Sequence, residues 1–348
     1  MKPVLNAALV GYGFAGRVFH APLIAHTPGL ALHTVVSGRA AAVRADHPQA
    51  RVVAQPQAAF ADPAIDLVVI ATPNPSHAPL ALEALRAGRH VVVDKPFAVS
   101  LAEAGAVVAA AERAGRMVSV FHNRRWDTDF LTLRGLLDAG ALGEIVELQS
   151  HFDRFRPEVP DRWRERPGPG AGLWFDLGPH LVDQALQLFG MPETVQADLA
   201  AMRDGAGVDD WFQATLRWPR RRALLHASTL CAAGSLRLAA HGTGGSFVKH
   251  GLDPQEARLR AGVVPGSPGW DERPEPGELV RTAGEGLRRE PVASVPGDYR
   301  AYYAGIRAAI LGQAAPPVTA VQALEVMRVL EAGLESARTG AAVRPGPG

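Results

Sequence analysis

The first third of the chain carries its apolar residues in short, nearly unbroken runs. Val4 to Val10, Leu67 to Ala71, His90 to Asp94 and Val118 to Phe121 are of this kind, and Leu32 to Ser37 and Arg51 to Ala54 are weaker versions. Such runs suit strands covered on both faces, as in a parallel sheet. Between them lie stretches with helical character: Ala15 to Ala25, Ala40 to His47, His77 to Ala87 and Leu101 to Ala114. Pro48, Gly88 and Gly115 supply stops, and Ser100 is placed to cap the last helix. Strands alternating with helices predict a doubly wound parallel sheet.

Beyond residue 122 the rhythm changes. Phe130 to Ala139 and Leu173 to Phe189 read as helices stopped by Gly140 and Gly190. Ile145 to Phe152, Val195 to Met202, Trp211 to Trp218, Ala223 to Leu230, Leu236 to His241 and Ser246 to Lys249 have strand character. Their succession predicts an α+β region with a large, mostly antiparallel open sheet. Val264 to Gly277, rich in Pro and Gly, reads as a long surface loop. Tyr299 to Leu311 and Ala320 to Ser336 read as helices, with Thr319 and Gln322 at capping-box spacing, and the tail after Gly340 as loose. The expected division is a dinucleotide-binding α/β domain over 1–122 and a substrate-binding, catalytic α+β domain over 123–348.

Composition narrows the function classes. A length of 348 residues suits two domains, and 47% hydrophobic with 20% charged residues excludes a disordered chain. A formal net charge of +1 argues against a nucleic-acid surface. The lone Cys231 cannot form an intrachain disulfide, which points to a reducing, cytoplasmic setting. Lys2 followed by Val4 to Val10 faintly resembles a secretory signal, but the run leads into Gly11-Tyr12-Gly13 and is better explained as a buried first strand. No stretch approaches the ~20 apolar residues of a bilayer span, so no membrane partner is expected.

The chemistry begins at Gly11-Tyr12-Gly13-Phe14-Ala15-Gly16, a G-x-G-x-x-G run between a predicted strand and a predicted helix. Small residues there permit a tight turn, close approach of backbone N–H groups to a pyrophosphate, and close helix–strand packing. Enzymes of this type that prefer NAD place an acidic residue at the end of the second strand to bind the ribose 2′-hydroxyl. This chain has Ser37-Gly38-Arg39 there, and no carboxylate until Asp46. A hydroxyl and a guanidinium suit a 2′-phosphate, so NADP(H) is expected over NAD(H). Thr72, Asn74, His77, Asp94 and Lys95 follow later strands of the same sheet and complete the expected cofactor set.

Two further motifs stand out. Asp94-Lys95-Pro96 leaves the fifth predicted strand where open α/β sheets bind ligands. Asp176, His180 and Asp183 lie at spacings of four and three on a predicted helix and therefore share a face. A carboxylate beside an imidazole can orient it and support its protonated form. The alternatives are a structural aspartate with a satisfied histidine, or a metal site. No cysteine is nearby and Lys95 would be a poor neighbour for a cation, so no metal is expected.

These motifs resemble the glucose–fructose oxidoreductase/inositol dehydrogenase family, Gfo/Idh/MocA, over nearly the whole chain. Gly11 to Gly16 resembles its cofactor loop, Asp94-Lys95-Pro96 its Glu-Lys-Pro motif, and Asp176-x-x-x-His180 its catalytic signature. Gly11 to Pro22, His122 to Asp127, Asp176 to His180 and Asp253 to Glu256 look like the subgroup that includes NADP-dependent scyllo-inositol dehydrogenases. Phe155 departs from that pattern, which has a tyrosine there. The resemblance implies hydride transfer between a nicotinamide and a secondary alcohol of a sugar or cyclic polyol. It implies that Lys95 hydrogen-bonds the reacting oxygen, that His180 carries its proton, and that Asp176 holds a neighbouring hydroxyl. It also implies substrate contacts from Asn123, Arg125, Trp126, Asp153, Arg154 and Trp163, and a homo-oligomer, dimer or tetramer. Two other readings stay open: a non-catalytic NADP-sensing regulator of the same fold, and the same chemistry on an aldose or keto sugar.

Overall fold

The structure is a computed structural model that describes residues 4–234, 236–270 and 275–346. The chain forms two compact units. One comprises Met1–Asn123 with Gln255–Asp271 and Asp298–Leu324, the other Arg124–Pro254 with Glu272–Gly297 and Glu325–Gly348.

The first unit is built on six strands: β1 (Leu5–Val10), β2 (Leu30–Val36), β3 (Arg51–Val53), β4 (Leu67–Ile70), β5 (His90–Val93) and β6 (Val118–Val120). Their spatial order is β3-β2-β1-β4-β5-β6, and every pair is parallel. This is the Rossmann order. All four residues of β4 are buried, as the unbroken apolar run predicts. The crossovers carry helices α1 (Ala21–Ala25), α2 (Ala40–Asp46), α3 (Pro56–Phe60), α4 (His77–Arg86) and α5 (Leu101–Ala114). Ser100 Oγ accepts the Glu103 N–H at 3.2 Å and Gly115 ends α5 at φ +58°, the cap and stop read from sequence. The helix expected from Ala15 differs: Gly16–His20 is a π turn that leads into α1. Pro22 has no N–H and its ring would press on the Val18 carbonyl, and a widened turn accommodates both.

The second unit is built on β7 (Ile145–His151), β8 (Thr194–Ala200), β9 (Trp211–Trp218), β10 (Arg221–Ser228), β11 (Leu236–Gly242), β12 (Gly245–His250), β13 (Gly277–Ala283) and β14 (Gly286–Val292). Their order is β14-β13-β12-β11-β7-β10-β9-β8. The β7–β10 pair is parallel and the others are antiparallel. The β13–β14 hairpin has no counterpart in the sequence reading. Gly-Leu-Arg-Arg-Glu-Pro-Val lacks apolar alternation because β14 is a charged edge strand, tied by cross-strand pairs such as Arg289–Glu278 at 2.6 Å. Part of the expected 264–277 loop, residues 271–274, lies outside the described residues.

Helix α6 (Thr128–Asp138) and the 18-residue α7 (Gly172–Phe189) belong to this unit. Trp174 anchors α7. It is fully buried, meets the Phe212 ring edge-on at 4.9 Å and donates its indole N–H to the Leu330 carbonyl at 3.0 Å. The start of α7 lacks a local cap, since Ala171 has no capping side chain. Asp209, distant in sequence, serves instead: its carbonyl accepts the Leu173 N–H at 2.8 Å and its carboxylate accepts the Trp174 N–H at 2.6 Å. Helices α8 (Gln255–Arg260) and α9 (Arg300–Ile310) return to the first unit. Helix α10 (Ala320–Thr339) opens on the reciprocal capping box of Thr319 and Gln322, at 3.1 and 3.2 Å.

Two consequences are testable. Trp174→Ala removes the anchor of α7 and is expected to cost about 3–5 kcal/mol, read from the urea unfolding midpoint. Burial raises the Asp209 carboxyl from 3.8 to about 6, against the backbone N–H groups that favour its charged form. The fold therefore gains stability as pH falls through about 6 and loses it as pH rises through that value. Asp209→Asn, which cannot ionise, is expected to flatten the unfolding midpoint against pH between 3.8 and about 6.

Candidate functional site

Parallel register sets out the first group of candidate residues. Val36, Val10, Ile70, Val93 and Val120 are successive ladder partners, so β2, β1, β4, β5 and β6 end level with one another. The residues that follow, Ser37, Gly11, Ala71, Asp94 and Phe121, line one carboxyl edge, where open α/β sheets bind ligands.

At the centre of that edge the three glycines divide the work. A Cβ on Gly11, at φ +98°, would lie 2.6 Å from the Ala71 carbonyl oxygen, and one on Gly16 would lie 2.1 Å from the Gly11 oxygen. Both are required by packing. A Cβ on Gly13 or Gly38 would meet nothing within 4 Å, so the backbone at both positions faces open space that a phosphate can enter. The Phe14 ring is exposed, meets Phe19 edge-on and lies under the Arg260 guanidinium at 4.8 Å. Ala15 is in helical conformation at the start of the turn.

Beyond β2, Ser37 Oγ accepts the Arg39 N–H at 3.0 Å, and Gly38 and Arg39 are exposed. Asp46, the nearest following carboxylate, is held by Arg17 Nε at 2.7 Å and the Tyr12 hydroxyl at 2.8 Å. The Arg17 hydrogen bond is the main reason its pKa is lowered. Its lone pairs are engaged, and Arg39 is left as the basic group beside Gly38. These residues line the edge of a dinucleotide-binding fold.

At the end of β4, Thr72 Oγ1 accepts from Ser76 Oγ at 2.6 Å, and Asn74 is buried. His77 links two turns: Nε2 lies 2.9 Å from the Thr72 carbonyl and Nδ1 lies 2.8 Å from the Pro96 carbonyl. The Lys95 N–H donates to its neighbour's Asp94 Oδ1 at 2.8 Å. The same oxygen lies 3.7 Å from His20 Nε2, and His20 Nδ1 lies 2.6 Å from the Tyr303 hydroxyl. Burial alone would raise the Asp94 pKa, but His20, Lys95 and His77 outweigh it and lower it to about 2. A fixed negative charge thus sits directly behind Lys95. His20 and Tyr303 carried no role in the sequence reading. They lie more than 280 positions apart, and only the fold joins them.

A second group of candidate residues is on α7. Asp176, His180 and Asp183 follow one face, but their surroundings differ. His180 and Asp183 are buried, whereas Asp176 is partly exposed and lies 3.7 Å from Arg164 Nε. Asp183 takes both arms of Arg125, at 2.8 and 2.6 Å. Arg125, expected at the substrate, is therefore held in a buried ion pair that fastens its segment to α7. Gln184 extends the fastening by donating to the Arg124 carbonyl at 2.7 Å and accepting from Arg237 at 2.9 Å. Trp163 opens the short turn Trp163–Glu165, and Arg164 from that turn covers its ring at 4.9 Å. Asn123 is buried and Trp126 half-buried at the two ends of the turn Asn123–Trp126. Asp153 and Arg154 continue β7, with Arg154 stacked on Phe152 at 4.7 Å and Phe155 58% exposed. No helix among the described residues is long and apolar enough to cross a membrane.

Comparison with known proteins matches both parts of the chain. Residues 5–122 match the model of an oxidoreductase family's NAD-binding Rossmann fold, and residues 134–344 match that family's C-terminal alpha/beta domain. The chain is 52% identical over 338 residues to the uncharacterized oxidoreductase YdgJ of Escherichia coli, covering 97% of this chain and 98% of that one. It is 39% identical over 336 residues to the scyllo-inositol 2-dehydrogenase (NADP(+)) IolW of Bacillus subtilis, covering 96% and 94%. The solved structure of YPO2259 from Yersinia pestis superposes with a TM-score of 0.95 at 50% identity, covering 99% of this chain and 98% of that one. The fold, the glycine loop and both family models agree: this chain belongs to the Gfo/Idh/MocA oxidoreductase family, with an NAD-binding Rossmann domain.

Proposed function

We propose that this protein is an NADP(H)-dependent dehydrogenase acting on a secondary alcohol of a sugar or cyclic polyol, of the scyllo-inositol kind. The observation that carries the reading is the carboxyl edge of the first sheet. It brings an open Gly13, the acid-free Ser37-Gly38-Arg39 turn and Lys95 into one line. IolW, whose name states both NADP(+) and scyllo-inositol, supports the finer choice of cofactor and substrate.

Gly11, Gly13, Phe14, Ala15 and Gly16 hold the pyrophosphate side of the dinucleotide in this reading. Ser37, Gly38 and Arg39 hold its 2′-phosphate, and Thr72, Asn74, His77 and Asp94 shape the rest of the edge. A bound nicotinamide supplies the hydride donor or acceptor, and proton and charge handling fall to the chain. His180 accepts the hydroxyl proton in oxidation and returns it in reduction. The Lys95 ammonium donates a hydrogen bond to the same oxygen and stabilises the charge that develops there. Asp176 accepts from a neighbouring hydroxyl. Asn123, Arg125, Trp126, Asp153, Arg154 and Trp163 are the substrate-shaping set, with Arg125 acting through Asp183 and α7. Phe155, in place of a tyrosine, is where substrate choice is expected to part from the subgroup. The lone Cys231 suits a reducing cytoplasm.

Initial rates with NADP⁺ and NAD⁺ across inositols and aldoses test the reading. Turnover of scyllo-inositol with NADP⁺ is expected, and tight NADPH binding without turnover of any polyol would replace it with a sensor. Lys95→Ala and His180→Ala are each expected to lower turnover by about 10²-fold or more, the scale of general acid–base contributions. Wild-type rates in either folded variant would remove that residue from the mechanism. Arg39→Ala is expected to weaken NADPH far more than NADH in a binding titration, and equal losses would show that Arg39 does not read the phosphate.

A further inference from the structure

A second cluster of chemistry-bearing side chains lies in the other sheet, and its origin is again parallel register. In the β7–β10 pair, His151 and His226 are direct ladder partners. The pairing continues past the strand end, with the Phe152 N–H on the His226 carbonyl at 2.9 Å and the Arg154 N–H on the Ser228 carbonyl at 2.8 Å. Side chains alternate along an extended chain, so Asp153 emerges on the same face as His151. Three ligand-type groups thus meet on one patch. Asp153 Oδ2 is 3.8 Å from His151 Nδ1, and Asp153 Oδ1 is 3.4 Å from His226 Nε2. All three ligand atoms lie within 4.8 Å of one another.

The carboxylate is the telling member. Its side chain is only 5% exposed, and Oδ1 accepts no hydrogen bond from any described residue. A buried carboxylate oxygen without a donor costs free energy that a bound cation would recover. The two imidazoles are 24% and 19% exposed, which leaves a route for an ion. Trp211 stands edge-on to His226 at 5.6 Å and limits how that ring can turn.

We propose that His151, Asp153 and His226 bind one divalent transition-metal ion of the zinc class. Two imidazoles and one carboxylate suit zinc, nickel or copper and disfavour magnesium and calcium, which take oxygen ligands. Tetrahedral zinc with ligands at about 2.1 Å separates them by roughly 3.4 Å, so small side-chain rotations close the set. Three protein ligands leave a further position for water or an alcohol oxygen. The inference does not depend on the dehydrogenase reading, since it concerns binding alone.

Tag-free, full-length protein titrated with ZnCl₂ by calorimetry tests it, with MgCl₂ as comparison. One saturable zinc equivalent and no magnesium binding are expected. His151→Gln, His226→Gln and Asp153→Asn keep side-chain volume, and each is expected to weaken zinc at least tenfold, roughly the least that loss of a ligand costs when outer-shell changes already cost about 10–100-fold. His250→Ala, an exposed histidine on β12, is expected to leave binding unchanged. Metal-free thermal unfolding confirms that each variant folds. Absence of saturable zinc binding would overturn the proposal, as would ligand variants that bind zinc as tightly as the wild type.

Discussion

Parallel strand pairing in register is the constraint on which the rest of this protein depends. A parallel ladder brings segments far apart in sequence to the same level, because each strand must be reached by a long crossover. In the first sheet this aligns the glycine turn after β1, the Ser37-Gly38-Arg39 turn after β2, and Lys95 after β5. In the second sheet one parallel pair among antiparallel ones sets His226 beside His151. The antiparallel pairs mostly join strands that are neighbours in sequence and build a platform.

Buried charge then fixes what register brings near. Asp94 stays ionised although buried, with one carboxylate oxygen accepting the Lys95 N–H and lying 3.7 Å from His20 Nε2. Arg125 and Asp183 neutralise one another beside His180 on α7. Arg237 pairs with Asp129 at 2.6 Å and reaches Gln184 on the same helix. Nearby Asp127 shows the opposite outcome. Burial raises its carboxyl to about 8, with Asp253 and Asp129 adding to burial against Arg124 and Arg237. Desolvation makes such groups costly, so their gain lies in geometry rather than net stability. A guanidinium held by two oxygens has one orientation, and α7 inherits it.

Much of the fold was legible in the chain. Unbroken apolar runs marked the covered strands, Ser100 and Gly115 bounded α5, and Thr319 with Gln322 announced α10. The elements that escaped were those whose stability is not written in apolar periodicity. Strand β14 is held by an edge ladder and cross-strand ion pairs, and the π turn before α1 answers to Pro22. The start of α7 is capped by Asp209, which no local pattern reveals.

By itself the sequence determined the alternation of strand and helix, the glycine turn, the missing acid after the second strand, and the shared face of Asp176, His180 and Asp183. Each of these is local: it follows from φ/ψ preference, side-chain period, or residue type at a fixed offset. Tertiary structure alone decided the partners. It gave Arg125 to Asp183, Arg164 to Asp176, His20 to Asp94 and Tyr303, and His226 to Asp153. The physical reason is that a charged or polar side chain seeks whichever counter-group packing leaves within reach. That choice depends on strand register and helix placement, which no local pattern encodes.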